Sequence, residues 1–375
     1  MTRSNADVLV IGGGLHGCST ALHCAQAGLS VIVLEREAVG RHASGVNAGG
    51  VRQMGRHFSE VPLSALAMEM WLRIGDLVDD DCGFQQSGGV KVASTEQHLV
   101  PMNARVATLR SMGFEHEEVV GPKETYELLP ALAPGMTGAL ICRTDGFANP
   151  YRTTTAFRRK AEALGVTFHE GRTATGLKRS GRGFRVETAD GHLHAEAVVN
   201  CAGGWAGQVC EWTGEPVPLQ AVAPMMTITA HMPPFVTPVV GYAGRPLSFK
   251  QMPNGTVMIG GGYSGIADLE TGLTSLRYEL LSENLQTAIK LFPIMGSARI
   301  VRQWAGIEAE MPDRIPVIGP SSTTEGLFHA FGFSAHGFQL GPAVGLLISE
   351  LVRGLPSSLS LNDFSISRFS KEAAA

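Results

Sequence analysis

Gly12-x-Gly14-x-x-Gly17 is the part of this 375-residue sequence whose spacing most directly implies chemistry. It sits between an apolar run, Val8-Leu9-Val10-Ile11, and a stretch of small residues with helical periodicity that stops at Gly28. Gly12 permits a tight turn, Gly14 lets the backbone approach a pyrophosphate, and Gly17 lets the helix pack closely on the strand. Leu15 and His16 stand at the opening turn of that helix, where free N–H groups and a partial positive charge favour phosphate oxygens. A second apolar strand, Ser30 to Leu34, closes on Glu35, followed by Arg36. The Glu35 carboxylate would accept two hydrogen bonds from a ribose diol and repel a 2′-phosphate, which disfavours NADP. The bland alternative is a glycine-rich turn without a ligand.

The same pattern recurs at Gly260-Gly261-Gly262-Tyr263-Ser264-Gly265, but no helical stripe follows it and no acid closes a further strand. We read it as a tight turn in a second domain, with Tyr263 at a pocket. Two other loops are rich in glycine. One runs from Arg41 through His42, Ala43, Ser44, Asn47, Gly49 and Gly50 to Arg52, too long for a simple connection. The other, Gly332 to Pro342, opens a helix near the C-terminus and holds His336 and Gln339. Loops from opposite ends of the chain could line a flat ring system on two sides. A helix N-terminus aimed there would stabilise negative charge building on the ring during reduction. This favours FAD over NAD, which glycine spacing alone does not separate.

These loops need a scaffold, and the remaining sequence supplies one. The opening reads as βαβ, a Pro-initiated helix follows with Leu63, Leu66, Met70, Ile74 and Leu77 in register, and Thr173 to Ala197 reads as a three-strand meander. A separate apolar strand then leads through Val198 to Gly204. Residues 217–262 alternate as an antiparallel sheet, a helix covers about 273–291, and a strand lies near 297–305. The expected architecture is α/β plus α+β. Residues 1–85, 150–215 and 300–375 form a discontinuous Rossmann-type domain, interleaved with a substrate domain of residues 86–149 and 216–299. Net charge is only −4, which offers no basic field for nucleic acid, and no apolar run approaches the ~18 residues of a membrane span. Six scattered cysteines without metal spacing, and no export signal at the N-terminus, point to buried thiols in a reducing cytoplasm. The last residues, Ser370 to Ala375, read as a frayed end.

At its motifs the sequence resembles the D-amino acid oxidase (DAO) family of flavoproteins, in its glycine/sarcosine oxidase-like branch. The first glycine motif, the Ala43-Ser44 to Arg52 loop, Asn149-Pro150-Tyr151-Arg152, Val198 to Trp205, Trp304-Ala305-Gly306 and Gly332 to Pro342 carry the resemblance in order. Within the branch it is most similar to β-type subunits of opine oxidase, hydroxyproline dehydrogenase and hydrogen cyanide synthase. The resemblance implies oxidation of an amine C–N bond by hydride transfer to FAD, followed by imine hydrolysis. It adds Ala174, Ala202, Gly203, Trp205, Phe333, Ser334, Ala335, Gly337 and Phe338 to the cofactor contacts. Arg52 matches a substrate-carboxylate clamp, and His336 a residue near the ring that steers orientation or a proton.

Three departures matter. Where some members place an arginine after Trp-Ala-Gly, this chain has Glu308, either a partner for a cationic substrate arm or a solvated carboxylate. Where others place a second carboxylate-binding lysine, it has Gln339. No cysteine lies in Trp304 to Pro316, where the resemblance implies one in members that bind flavin covalently, so non-covalent FAD is expected, and no histidine lies between His116 and His169 to hold a second flavin covalently. FMN at a subunit interface stays open, with an α-type flavoprotein and small iron–sulfur subunits as partners. The alternatives are a free-standing glycine/sarcosine-type oxidase making hydrogen peroxide, a catalytically silent flavin-bearing subunit, and an NAD-dependent dehydrogenase.

Overall fold

The opening strand, Asn5–Ile11, buries Val8, Leu9 and Val10 completely, as an apolar run covered on both faces of a parallel sheet must. The structure, a computed structural model, describes residues 5–370. The first four residues and nearly all of the expected frayed end lie outside that range. The opening strand pairs in parallel with Val31–Leu34 on one side and Gly191–Asn200 on the other. Thr167–His169 and Leu327–Phe331 extend the parallel set, and Val317–Pro320 adds an antiparallel edge. Strands from both ends and the middle of the chain thus build one sheet.

Gly191–Asn200 is a single strand of 10 residues, where the sequence suggests a meander strand and a separate apolar one. No glycine or proline interrupts it after Gly191. It can therefore pair antiparallel with Gly183–Thr188 at its start and in parallel with the opening strand at its end.

The first helix, Leu15–Gln26, is wedged between this sheet and the C-terminal helix Gly337–Val352. The contacts are closer than side chains allow. A Cβ on Gly17 would stand 1.9 Å from the Gly12 carbonyl oxygen. On Gly341 it would stand 2.5 Å from Leu15, and on Gly345 2.1 Å from the Ser19 hydroxyl. Part of the glycine excess, 46 residues, is explained by this crossing.

The second sheet is organised by Gln220–Thr229, which pairs antiparallel with Val257–Gly260, Ser264–Ala267, Ile300–Ala305 and Glu308–Glu310. The last two strands carry this sheet past residue 299, the expected domain boundary. Gly89–Ala93 pairs in parallel with Val239–Tyr242 and antiparallel with Gly138–Cys142, so the sheet is mixed rather than wholly antiparallel. Phe249 and Phe292 stack at 4.8 Å in its core. Two helices also differ from expectation. The Pro-initiated one breaks into Val61–Trp71 and Ile74–Val78, and the later one starts at Tyr278 because Thr274–Ser275 is a strand. Among the described residues no helix is long and apolar enough to cross a membrane. All six cysteines are buried and unpaired, as expected.

Gly17→Ala forces the first helix off the opening strand, and we expect it to destabilise the fold by about 1–3 kcal/mol. A thermal melt superimposable on wild type would contradict this packing.

Candidate functional site

A continuous cavity of about 690 Å³ is lined by residues of both sheets, within the ~300–1,000 Å³ common for small-molecule sites. At one end stand Gly12, Gly14, Leu15, His16 and Glu35. Gly17 lies behind them, against the Gly12 carbonyl. Bare glycine is required at the turn: a Cβ on Gly12 would lie 2.3 Å from the Cys201 carbonyl oxygen, and one on Gly14 would lie 2.9 Å from Ser44 Oγ. That Ser44 hydroxyl accepts the Leu15 N–H at 2.9 Å, so the 41–52 loop caps the first helix. Glu35 accepts the Gly13 N–H on Oε2 and the Glu37 N–H on Oε1, both at 2.8 Å. Burial pushes its pKa up against the pull of those two donors. The carboxylate therefore braces two turns and keeps its remaining lone pairs for a ribose.

Arg36 and Trp205 form a shelf beside Glu35, with the guanidinium 4.2 Å from the indole centroid. His42 packs on the same ring at 4.8 Å and lies 2.9 Å from Glu37 Oε1. Trp205 Nε1 donates to the Leu269 carbonyl, so its role here is packing. Ala174, Ala202 and Gly203 line the same stretch.

Further along, Asn47 clasps its own loop, donating to the Ala43 carbonyl at 2.8 Å and accepting the Gly49 N–H at 2.6 Å. Gly49 has φ +71°, and a Cβ there would meet the Ala148 oxygen at 2.1 Å. Gly50 pairs with Phe147. Ala43, Ser44, Asn47, Gly49 and Gly50 all line the cavity. Lys250, in the strand Ser248–Gln251, donates to the Ala48 carbonyl of this loop and lies 4.6 Å from the Phe147 ring centroid. It is buried with no carboxylate partner, and desolvation holds its pKa down to about 7. Nothing in the sequence singles it out, since one lysine in a short strand reads as exposed.

The C-terminal loop meets the first loop from the other side. Ser334 and Ala335 both adopt positive φ, 49° and 68°, at a cost of roughly 1–3 kcal/mol each. Glu308 Oε1 accepts the Ala335 N–H at 2.6 Å, Ser334 N–H donates to the Ala309 carbonyl, and Ser334 Oγ accepts the Met311 N–H. One oxygen of Glu308 is thus engaged by the loop backbone. It lines the cavity, braces the strained loop, and burial raises its pKa to about 7. Phe333 stacks on His16 at 3.6 Å, and His16 Nε2 is buried without a partner. Burial pushes the His16 imidazole down to about 3.

Arg56, missed in the sequence, joins the two loops. Fully inside the protein, it donates to the Arg52 carbonyl (2.9 Å), the His336 carbonyl (2.9 Å) and Gln339 Oε1 (3.1 Å). Its only available signal was a second arginine four residues after Arg52. His336 lines the cavity with Nδ1 3.4 Å from Glu60 Oε2. Burial lowers the His336 pKa to about 4 despite that carboxylate. Burial pushes Glu60 upward, but His336 and Arg56 outweigh it and hold it below its ordinary value. At neutral pH the pair is a neutral imidazole beside a carboxylate.

Gln339 is a correction. It is fully buried outside the cavity wall, and its amide is spent on Arg56, Ser64 Oγ and the Ser64 carbonyl. It can touch neither cofactor nor substrate, whereas its neighbours Gly337 and Phe338 do line the cavity. Arg52 and Tyr263 line it too, and among the described residues no hydrogen bond or ion pair engages the Arg52 guanidinium. The second glycine motif is a turn, as expected: Gly261 has φ +113°, and a Cβ there would lie 2.3 Å from Ser248 N. These features fit FAD. A glycine cradle at a helix N-terminus, an acid with spare lone pairs, a partnerless His16 nitrogen and two loops meeting at the far end suit a long dinucleotide with a flat ring.

The family model described as DAO, FAD dependent oxidoreductase, matches residues 7–351. Mitochondrial sarcosine dehydrogenase of Mus musculus is 29% identical over 98% of this chain and 42% of its own length. The chain therefore spans less than half the length of that relative. Sarcosine oxidase subunit beta of an Arthrobacter species is 24% identical, covering 98% of this chain and 92% of that one. The crystal structure of L-proline dehydrogenase from P. horikoshii superimposes with a TM-score of 0.91 at 26% identity, over 99% of both chains.

Two outcomes follow. Glu35→Ala loosens both turns and removes the ribose acceptor, so flavin affinity should drop by about 10- to 100-fold, read by fluorescence titration of stripped protein. Lys250 titrates near 7 when folded and from 10.5 in its ordinary state, so between these values the unfolded chain holds the extra proton. Its contribution to stability thus rises with pH across that window, by up to ~1.4 kcal/mol per pH unit. Denaturant melts should show wild type gaining on Lys250→Met from about pH 7 to about pH 10, and a pH-independent gap would refute this.

Proposed function

We propose that this chain, which belongs to the DAO family of FAD-dependent oxidoreductases, oxidises the C–N bond of an amino acid or N-substituted amino acid, with a secondary amine such as an opine or imino acid preferred. The observation that carries the reading is the unengaged Arg52 guanidinium in the wall of the flavin cavity. A guanidinium fork matches a carboxylate in two parallel hydrogen bonds and would orient the carbon beside the amine nitrogen. FAD, when bound, supplies the two-electron acceptor that takes a hydride from that carbon. The amine loses its N–H proton to solvent as the C=N bond forms. Water then adds to the imine and splits it into an oxo compound and the released amine. No nucleophile or strong base is required, which suits a wall in which the His336 imidazole is neutral. Tyr263 contributes to the pocket on the substrate side.

We place the chain as the catalytic β-type subunit of a heteromeric dehydrogenase, with an α-type flavoprotein, interface FMN and small iron–sulfur subunits. Its likeness to a protein named subunit beta supports this. Six buried free thiols are compatible with a cytoplasmic setting.

Anaerobic addition of N-methylglycine, proline or an opine to the holoenzyme should bleach the yellow flavin band, and Arg52→Met should raise KM by about 10- to 100-fold. No bleaching with any amine or amino acid would end the reading. Rapid peroxide formation by the chain alone would shift it to a free-standing oxidase.

A further inference from the structure

Lys91 stands in the strand Gly89–Ala93, on the same cavity wall as Arg52. It lies opposite Gly241 of the parallel neighbour strand. A Cβ at Gly241 would stand 3.8 Å from Lys91 Cγ, ordinary contact distance, so the lysine stem lies over this glycine. As with the Arg52 guanidinium, no ion pair or hydrogen bond engages the Lys91 ammonium among the described residues.

The carboxylates nearby are already engaged. Glu117 receives Arg105 on both oxygens, at 2.7 and 2.8 Å, and also accepts the Gly55 N–H. Asp145, buried, accepts the Gln53 N–H at 2.7 Å on one oxygen and the Met54 N–H at 3.2 Å on the other. Two cations without a direct ion-pair partner therefore face one cavity. Desolvation, and next the charge of Arg52, hold the Lys91 ammonium below its ordinary pKa. Like charges brought together without counter-ions are costly, and an anion lying between them relieves the cost. A single carboxylate occupies one of them and leaves the other unanswered.

We propose that the substrate carries two carboxylates flanking its secondary amine, an N-(carboxyalkyl) amino acid, with Arg52 holding one and Lys91 the other. This rests on the amine-oxidase reading above and narrows it. One C–H bond beside the nitrogen gives its hydride to FAD, the N–H proton leaves, and water splits the imine. The products are an oxo acid and an amino acid, each keeping one carboxylate.

The test compares the holoenzyme's calorimetric Kd for thiodiacetate, a non-oxidisable dicarboxylate, with that for (methylthio)acetate, its single-carboxylate counterpart. Wild type should prefer the dicarboxylate by about tenfold or more. Lys91→Met should lose most of that preference with the single-carboxylate affinity nearly unchanged, and Lys91→Arg should keep it. Equal affinities in wild type, or a preference that survives in Lys91→Met, would overturn the assignment. Anaerobic bleaching by N-methylglycine and by iminodiacetate separates the two levels. Bleaching by N-methylglycine without any dicarboxylate preference removes this inference alone, whereas no bleaching by either, nor by any other amine, removes the amine-oxidase reading beneath it.

Discussion

The distance of closest approach between backbones governs this structure. The first helix lies so near the opening strand that Gly17 has no space for a methyl group, and so near the C-terminal helix that Gly341 and Gly345 have none either. That crossing brings residues separated by more than three hundred positions into one wall. Ser19 donates to the Pro342 carbonyl across it, and Trp71 Nε1 donates to the Gln339 carbonyl at 2.7 Å. The C-terminal loop is thereby fixed against the glycine cradle, and the cavity acquires a far end.

Polar groups then hold the loops that packing brings together. Arg56 is spent on two carbonyls and an amide, so its charge serves the scaffold. Glu308 and Glu35 act alike: each is a cavity-wall carboxylate that satisfies backbone N–H groups of a turn. Buried polar groups must be paired, and here the pairing fixes turn shape. Arg52 and Lys91 are the contrast, since they stand in the same wall without partners.

The glycine cradle, Glu35 and both ring-end loops were legible from types and spacing, because each rests on local backbone geometry or on the chemistry of one residue. Gln339 was misread. Its match to a carboxylate-binding lysine position of the resembled family suggested the cavity, but on a helix the single step from Phe338 turns a side chain by about 100°, here into the core against Ser64. Arg56 and Lys250 went unnoticed, because a buried cation is recognised only by what surrounds it. The long strand Gly191–Asn200 was cut in two because its partners change along its length, which periodicity does not report.

From the sequence alone came the βαβ opening, the dinucleotide cradle and the two loops flanking its far end, since turn glycines and an acid at a strand end act through neighbours close in the chain. The tertiary structure alone decided which charges are spent and which are free. Arg52 and Arg56 have the same side chain four residues apart and both border the cavity, yet the Arg56 guanidinium is spent on the scaffold while that of Arg52 is left unengaged. Charge pairing depends on residues that meet only after both sheets and both ends of the chain have packed, and no linear spacing encodes that meeting.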